Sequence, residues 1–383
     1  MQNLYTLIRN WHLPERIKKA LFKFSKLEWR IFFVFGGILL ISTLGLLQEL
    51  NRAFMVEVPM RGGNLTEGLL GTPRFVNPVL ASSDADRDLV SLIYGGLMRK
   101  NSEGNLIPDL ALGYEVSADG LTYTFTLRDN LTFHDKKPVT ASDVVFTINS
   151  IKDPVIKSPR KTAWDGVSVE QVDEKNITFT LRQPYSSFLE NTTIGIIPKH
   201  IWEGSPIELN EANMSPVGTG PFSVKRIHKQ SSGIIDTFVL ESFDKFTLGR
   251  PYLKTLTLQF YQTEEELIAA VSEDKIDQAS AISPEEAKAL AADGQQIKSL
   301  LLPRVFGLFF NQSQNQIFTN KSVIQAINTA IDKELIVQEV LAGYGSTIED
   351  PLPTTTPEYY KIGGKQIISK EERIEKARSI LEK

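Results

Sequence analysis

Hydrophobic and polar residues change period along this chain, and the changes mark its elements. Residues 31–47 show no period at all: IFFVFGGILLISTLGLL is an uncharged apolar run of 17 residues, at the lower limit for crossing a bilayer. From Asp84 to Leu97 the apolar positions Leu89, Val90, Leu92, Ile93 and Leu97 fall at helical spacing, and Gly95-Gly96 predicts the stop. Thr122, Thr124 and Thr126 then alternate with Tyr123, Phe125 and Leu127. That period of two belongs to a strand with one buried face. Leu131-Thr132-Phe133 resumes it as a short strand after Asp129-Asn130, and Asp135 to Pro138 turns the chain. Thr140, with Asp143 three residues on, reads as a helix N-cap ahead of Val144, Val145 and Ile148.

The same reading predicts strands near 62–69, 167–172, 176–181, 234–240 and 253–261, and a buried strand over Val305–Asn311. Thr263, Ser283 and Ser369 each precede a helix with Glu at the third position. Residues 216–222, PVGTGPF, have neither phosphate-loop nor dinucleotide-loop spacing and read as a tight turn into a strand.

The apolar run gains meaning from its flanks. Residues 1–30 hold seven Lys/Arg against Glu15 and Glu28, a balance of +5 that leaves −9 for the rest of a chain at −4. Lys18, Lys19, Lys23, Lys26 and Arg30 all precede the run, so the positive-inside rule puts the N-terminus in the cytoplasm and the body outside. A long basic stretch before it and no A-x-A site after it weigh against a cleaved signal. The lack of a polar face weighs against a core helix. Met1 to Lys26 is basic and partly amphipathic, which suits either the inner membrane surface or a solvated tail.

At 383 residues the chain exceeds one compact core, so more than one domain is expected. A composition of 42% hydrophobic and 23% charged is that of a globular protein, and the acidic balance gives no support to a nucleic-acid partner. With no cysteine, disulfides, thiolate nucleophiles, cysteine zinc sites and a lipid-modified cysteine are excluded. His12, His134, His200 and His228 stand apart from one another, and no hydrolase or metalloprotease motif is present. No enzyme, cofactor or metal is expected.

The segment from Asp119 to Asn149 resembles the hallmark of family 5 extracytoplasmic solute-binding proteins, the peptide and nickel receptors of ABC importers. Asp119-Gly120, Tyr123-Thr124-Phe125, Leu127-Arg128, Phe133-His134-Asp135, Pro138, Thr140-Ala141 and Asp143-Val144 carry it. Lys136 stands where the family has Gly. Ile196 to His200, Val217 to Phe222, Gly249 to Leu253 and Val323 to Lys333 are similar to further family motifs, with Phe246 in place of a Trp.

The resemblance implies an α/β, periplasmic-binding-protein-like two-lobed fold of type II with an extra small domain, preceded by one N-terminal transmembrane helix. Its implied divisions are a cytoplasmic basic segment (1–30), a membrane helix (31–47) and a linker (48–61). Lobe I (62–97 and 216–303) follows, interrupted by the small domain (98–215), with an incomplete lobe II (304–383). The family continues beyond the point matching Lys383, so a fragment or a second polypeptide is expected. The implied function is capture of oligopeptides by lobe closure and delivery to the permease subunits of an ABC importer. A peptide-sensing or chaperone-like module without transport is the alternative. Ligand contacts are implied near Ser82, Ser83 and Asp84, near Ser280, Ala281 and Ile282, and around Arg304 and Phe306. Trp164, in a polar loop, is a further candidate. Helix capping accounts equally for Ser82–Asp84, a core position for Trp164 and a surface charge for Arg304.

Overall fold

The computed structural model describes residues 14, 25–55, 58–185, 187–300, 305–348 and 369–382. The chain divides into an N-terminal unit, Met1–Met60, and a body, Arg61–Lys383.

Among the described residues of the N-terminal unit there is a helix, Lys26–Phe54, longer at both ends than the apolar run. Ser25 sets its start: Glu28 N–H donates to Ser25 Oγ at 3.3 Å, and Ser25 N–H donates to Glu28 Oε2 at 2.6 Å. The stretch Leu27–Arg52 is long and apolar enough to cross a membrane. At about 1.5 Å per residue it outreaches a hydrocarbon layer of about 30 Å. Phe35, Leu39 and Ile41 are 67%, 71% and 71% exposed, which a buried core helix would not show.

The described strands of the body are β1 (Asn64–Leu70), β2 (Met98–Lys100), β3 (Leu106–Pro108), β4 (Ala111–Val116), β5 (Thr122–Leu127), β6 (Val167–Gln171), β7 (Asn176–Leu181), β8 (Phe222–Lys229), β9 (Ile235–Ser242), β10 (Thr255–Tyr261) and β11 (Gln278–Ala279). One sheet has the order β11-β1-β10-β9-β8. In it β1 runs parallel to β10 and β11, while β9 and β8 are antiparallel additions. A second sheet, β4-β5-β7-β6, is wholly antiparallel, and β2 pairs with β3.

Periodicity explains these strands. In β5 Tyr123, Phe125 and Leu127 point inward, and in β7 Ile177, Phe179 and Leu181 do the same. Leu256, Leu258 and Phe260 of β10 repeat the pattern. All nine belong to one apolar cluster that runs through both sheets. The expected strand at Leu131–Phe133 is only a single bridge, Thr132 to Pro138.

Two buried carboxylates tie the small sheet together. Asp143 Oδ2 accepts from Thr140 N–H at 2.9 Å, closing the start of helix Ala141–Lys152, and Oδ1 accepts from Lys199 N–H at 2.8 Å. Asp109, fully buried, takes Arg99 Nε at 2.9 Å and the Thr247 hydroxyl. Arg99 also lies over Phe246, 5.3 Å from its centroid. Arg128 donates to the carbonyls of Asp109 and Pro108 at 2.7 and 3.3 Å. Lys136 makes its turn at φ +72°, the left-handed region that glycine enters at no steric cost.

The turn 216–221 packs onto the end of helix Asp84–Ile93. Gly220 N–H donates to Ile93 carbonyl at 2.8 Å, and Gly95 N–H donates to Thr219 Oγ1 at 3.0 Å. From the other side, Gly218 N–H donates to His134 Nδ1 at 3.3 Å and His134 Nε2–H donates to Gly220 carbonyl at 3.1 Å. That pattern requires the neutral imidazole. Burial pushes its pKa down to about 4, outweighing the Gly220 bond and the nearby Asp135.

Val305–Asn311 is not a strand. It has no regular secondary structure, with Phe306 and Phe309 79% and 96% exposed, and no described strand pairs with its backbone. Helices Lys321–Ala330, Lys333–Val340 and Lys370–Leu381 follow, with Arg373 bonded to Asp332 at 2.5 Å.

A Cβ on Gly218 would sit 2.1 Å from Ile93 oxygen, whereas one on Gly113 meets nothing within 4 Å. Gly218→Ala should therefore destabilise the body by about 3 kcal/mol and Gly113→Ala by less than about 0.5 kcal/mol, read from urea midpoints. His134 titrates lower folded than unfolded, so the unfolded chain binds the extra proton first. Stability is whole above pH 6.5 and falls, by up to about 3 kcal/mol, as the pH drops from 6.5 to about 4. His134→Gln should flatten that part of the stability–pH curve.

Candidate functional site

The parallel strands give the sheet a carboxyl edge. β1, β10 and β11 run the same way and end at Leu70, Tyr261 and Ala279. Open α/β sheets place ligands outside such carboxyl ends. Ser280, Ala281 and Ile282 follow β11 directly, and Gln262 Nε2 donates to Thr72 Oγ1 across the edge at 2.6 Å.

Helix Asp84–Ile93 begins beside this edge, and its cap occupies much of the Ser82–Asp84 loop. Asp86 N–H donates to Ser83 Oγ at 3.1 Å. The buried Asp86 carboxylate accepts from Ser83, Arg74 and Phe75 N–H at 3.3, 2.7 and 2.9 Å. Arg87 folds back, donating to the Ser82 carbonyl and pairing with Asp84 at 2.5 Å.

Ser280 is bonded to β1. Its hydroxyl bonds Glu67 Oε1, and its N–H donates to the Gly68 carbonyl at 3.3 Å. The charge of Glu67 is felt by Asp88 on the helix. The Asp88 carboxyl is held above its usual range, first by burial and then by the charges of Asp84 and Glu67. Ala281 takes a left-handed φ of +58°, and Ile282 packs against Leu267, Ala270 and Ile276. Glu67 beside Ser280 and Asp88 on the helix after Asp84 thus feel one another's charge, and sequence reasoning singled out neither. A signal was present: Glu67 interrupts an inward row with Leu65 and Leu69 on β1. The result is an acceptor-rich rim suited to amide and ammonium donors.

The remaining candidates lie elsewhere. Trp164 is 1% exposed, with its ring 5.8 Å from Phe179 and 6.1 Å from Phe188. It is a core residue, because the polar loop around it folds its ring under the small sheet. Its neighbours Thr162, Asp165, Arg182, Tyr185 and Asn191 line a cavity of about 520 Å³. Phe306 is exposed on the segment 305–311, and Arg304 lies outside the described residues. Among the described residues no group of His, Cys, Asp and Glu is arranged to hold a metal ion.

Comparison with known proteins places this arrangement. The oligopeptide-binding protein AppA of Bacillus subtilis is 31% identical over 309 residues, 78% of this chain and 56% of its own length. Its structure in complex with a nonapeptide superposes with a TM-score of 0.62 at 28% identity, over 85% of this chain and 64% of that one. The ABC transporter substrate-binding protein CtaP of Listeria monocytogenes gives a TM-score of 0.66 at 29% identity, over 84% of this chain and 65% of its own. NikZ of Campylobacter jejuni, in complex with Ni(L-His), gives 0.62 at 27% identity, covering 83% and 62%. The chain thus spans little more than half the length of AppA. The model of bacterial extracellular solute-binding proteins, family 5, middle region, matches residues 105–383, and the chain belongs to that family.

Proposed function

We propose that the protein captures oligopeptides at the carboxyl edge of β1, β10 and β11 and hands them to the permease of an ABC importer. Family 5 solute-binding proteins are transport receptors, not enzymes. The observation that carries the reading is the likeness to AppA, whose structure holds a nonapeptide. The rim of Ser280, Glu67 and Asp88 supports it, since a peptide brings N–H donors and an ammonium group to such acceptors. Closure of a second lobe over the edge completes the capture. In this reading residues 62–97 and 216–303 form the first lobe, 98–215 the small domain, and residues from 304 begin the second.

The body works outside the cell, held by the helix Lys26–Phe54, with the basic N-terminal segment in the cytoplasm. The uncovered apolar surface of that helix and the preceding lysines support this topology.

Calorimetry on the full-length protein with a peptide library should show saturable binding, and Glu67→Gln should weaken it about tenfold without lowering Tm. Binding of a sugar or of nickel–histidine with no peptide bound would reject the peptide assignment. Fractionated cells should keep the protein, with residues 1–50 intact, in the membrane; a mature N-terminus after residue 50 would overturn the anchor.

A further inference from the structure

At the amino end of β1 the body carries a basic recess away from the ligand edge. Arg61, Gly62, Ser242, Arg250, Tyr252 and Lys254 line a cavity of about 230 Å³. Its walls are fixed by backbone: Gly62 N–H donates to Tyr252 carbonyl at 2.7 Å, and Ser242 N–H donates to Lys254 carbonyl at 3.0 Å. Three cations face it. Arg250 Nε is paired with Asp244 at 2.9 Å, while Arg61 and Lys254 have no ion pair among the described residues. Ser242 is 8% exposed and shares the inward row of β9 with Phe238 and Leu240, so the cations dominate the open side of the recess. Cations grouped around a cavity of this size describe a receptor for an oxyanion.

We propose that this recess takes the phosphodiester headgroup of an anionic membrane phospholipid, and so seats the body on the bilayer. The proposal rests on the reading of Lys26–Phe54 as a membrane anchor. Arg61 follows Phe54 by seven residues, a span of at most about 25 Å. The tether therefore keeps the recess within reach of the headgroup layer at high effective concentration, an advantage a free phosphate lacks. Tyr252, 57% exposed at the rim, has the amphipathic ring that settles at membrane interfaces.

The test is calorimetry of the full-length protein in neutral detergent. The titrants are short-chain phosphatidylglycerol, short-chain phosphatidylcholine and inorganic phosphate. Phosphatidylglycerol should bind saturably and most tightly. The double variant R61A/K254A should weaken it roughly 25-fold, about fivefold per cation removed, with Tm unchanged. The double variant should leave the peptide titration as it was. Inorganic phosphate binding as tightly as the lipid would assign a soluble anion and overturn the lipid. Absence of binding, or indifference to the double variant, would overturn the site. Membrane fractionation separates the two readings: recovery of the intact protein in the soluble fraction removes the anchor, whatever the titration shows.

Discussion

Segments far apart in sequence meet at one contact, where the turn 216–221 lies on the last carbonyl of helix Asp84–Ile93. Backbone approaches backbone there at a distance that no side chain on Gly218 or Gly220 would permit. Thr219 and His134 then satisfy the polar groups that the approach buries, across 124 and 86 residues of chain. The helix that carries the Ser83 cap, the hallmark segment and the start of β8 are all positioned by this junction. The junction therefore holds together the elements around the carboxyl edge on which Ser280 and Glu67 meet.

Burial decides the polar chemistry around the junction. His134 gains a hydrogen bond to the Gly220 carbonyl and feels Asp135, yet loss of hydration prevails and the ring stays neutral. Asp109 is the opposite case: it is fully buried, but Arg99, at 2.9 Å, supplies the compensating charge. Removing one partner of such a pair costs about 3–5 kcal/mol because the other is stranded. The hallmark residues His134 and Asp143 thus serve architecture here, each bonded to backbone N–H groups that the fold brings to it.

Much of this was legible in the sequence. Strands β5, β7 and β10 follow from their period of two, and the helix starts at Ser83, Thr140, Thr263, Ser283 and Ser369 follow from their caps. Long-range features were not. The apolar run Val305–Asn311 has the composition of a buried strand, but composition cannot supply a pairing partner. Trp164 lies in a polar loop, and only the fold shows its ring among Phe179 and Phe188. Glu67 matters through Ser280, 213 residues away, a relation no local pattern encodes. Lys136 was readable as a departure, and its positive φ shows how the turn absorbs it.

The pairing of β1 with β10 sets an order of events in time. Asn64 is registered against Thr255, 191 residues later. At about 5–20 residues per second, synthesis leaves roughly 10–40 s between the two strands. During that interval β1 exists with its hydrogen-bonding edges unmatched, because its other partner, β11, is made later still. The antiparallel β4-β5-β7-β6 sheet is complete by Leu181. It can therefore condense while the first strand waits, and the sheet of β1, β10 and β11 closes after it.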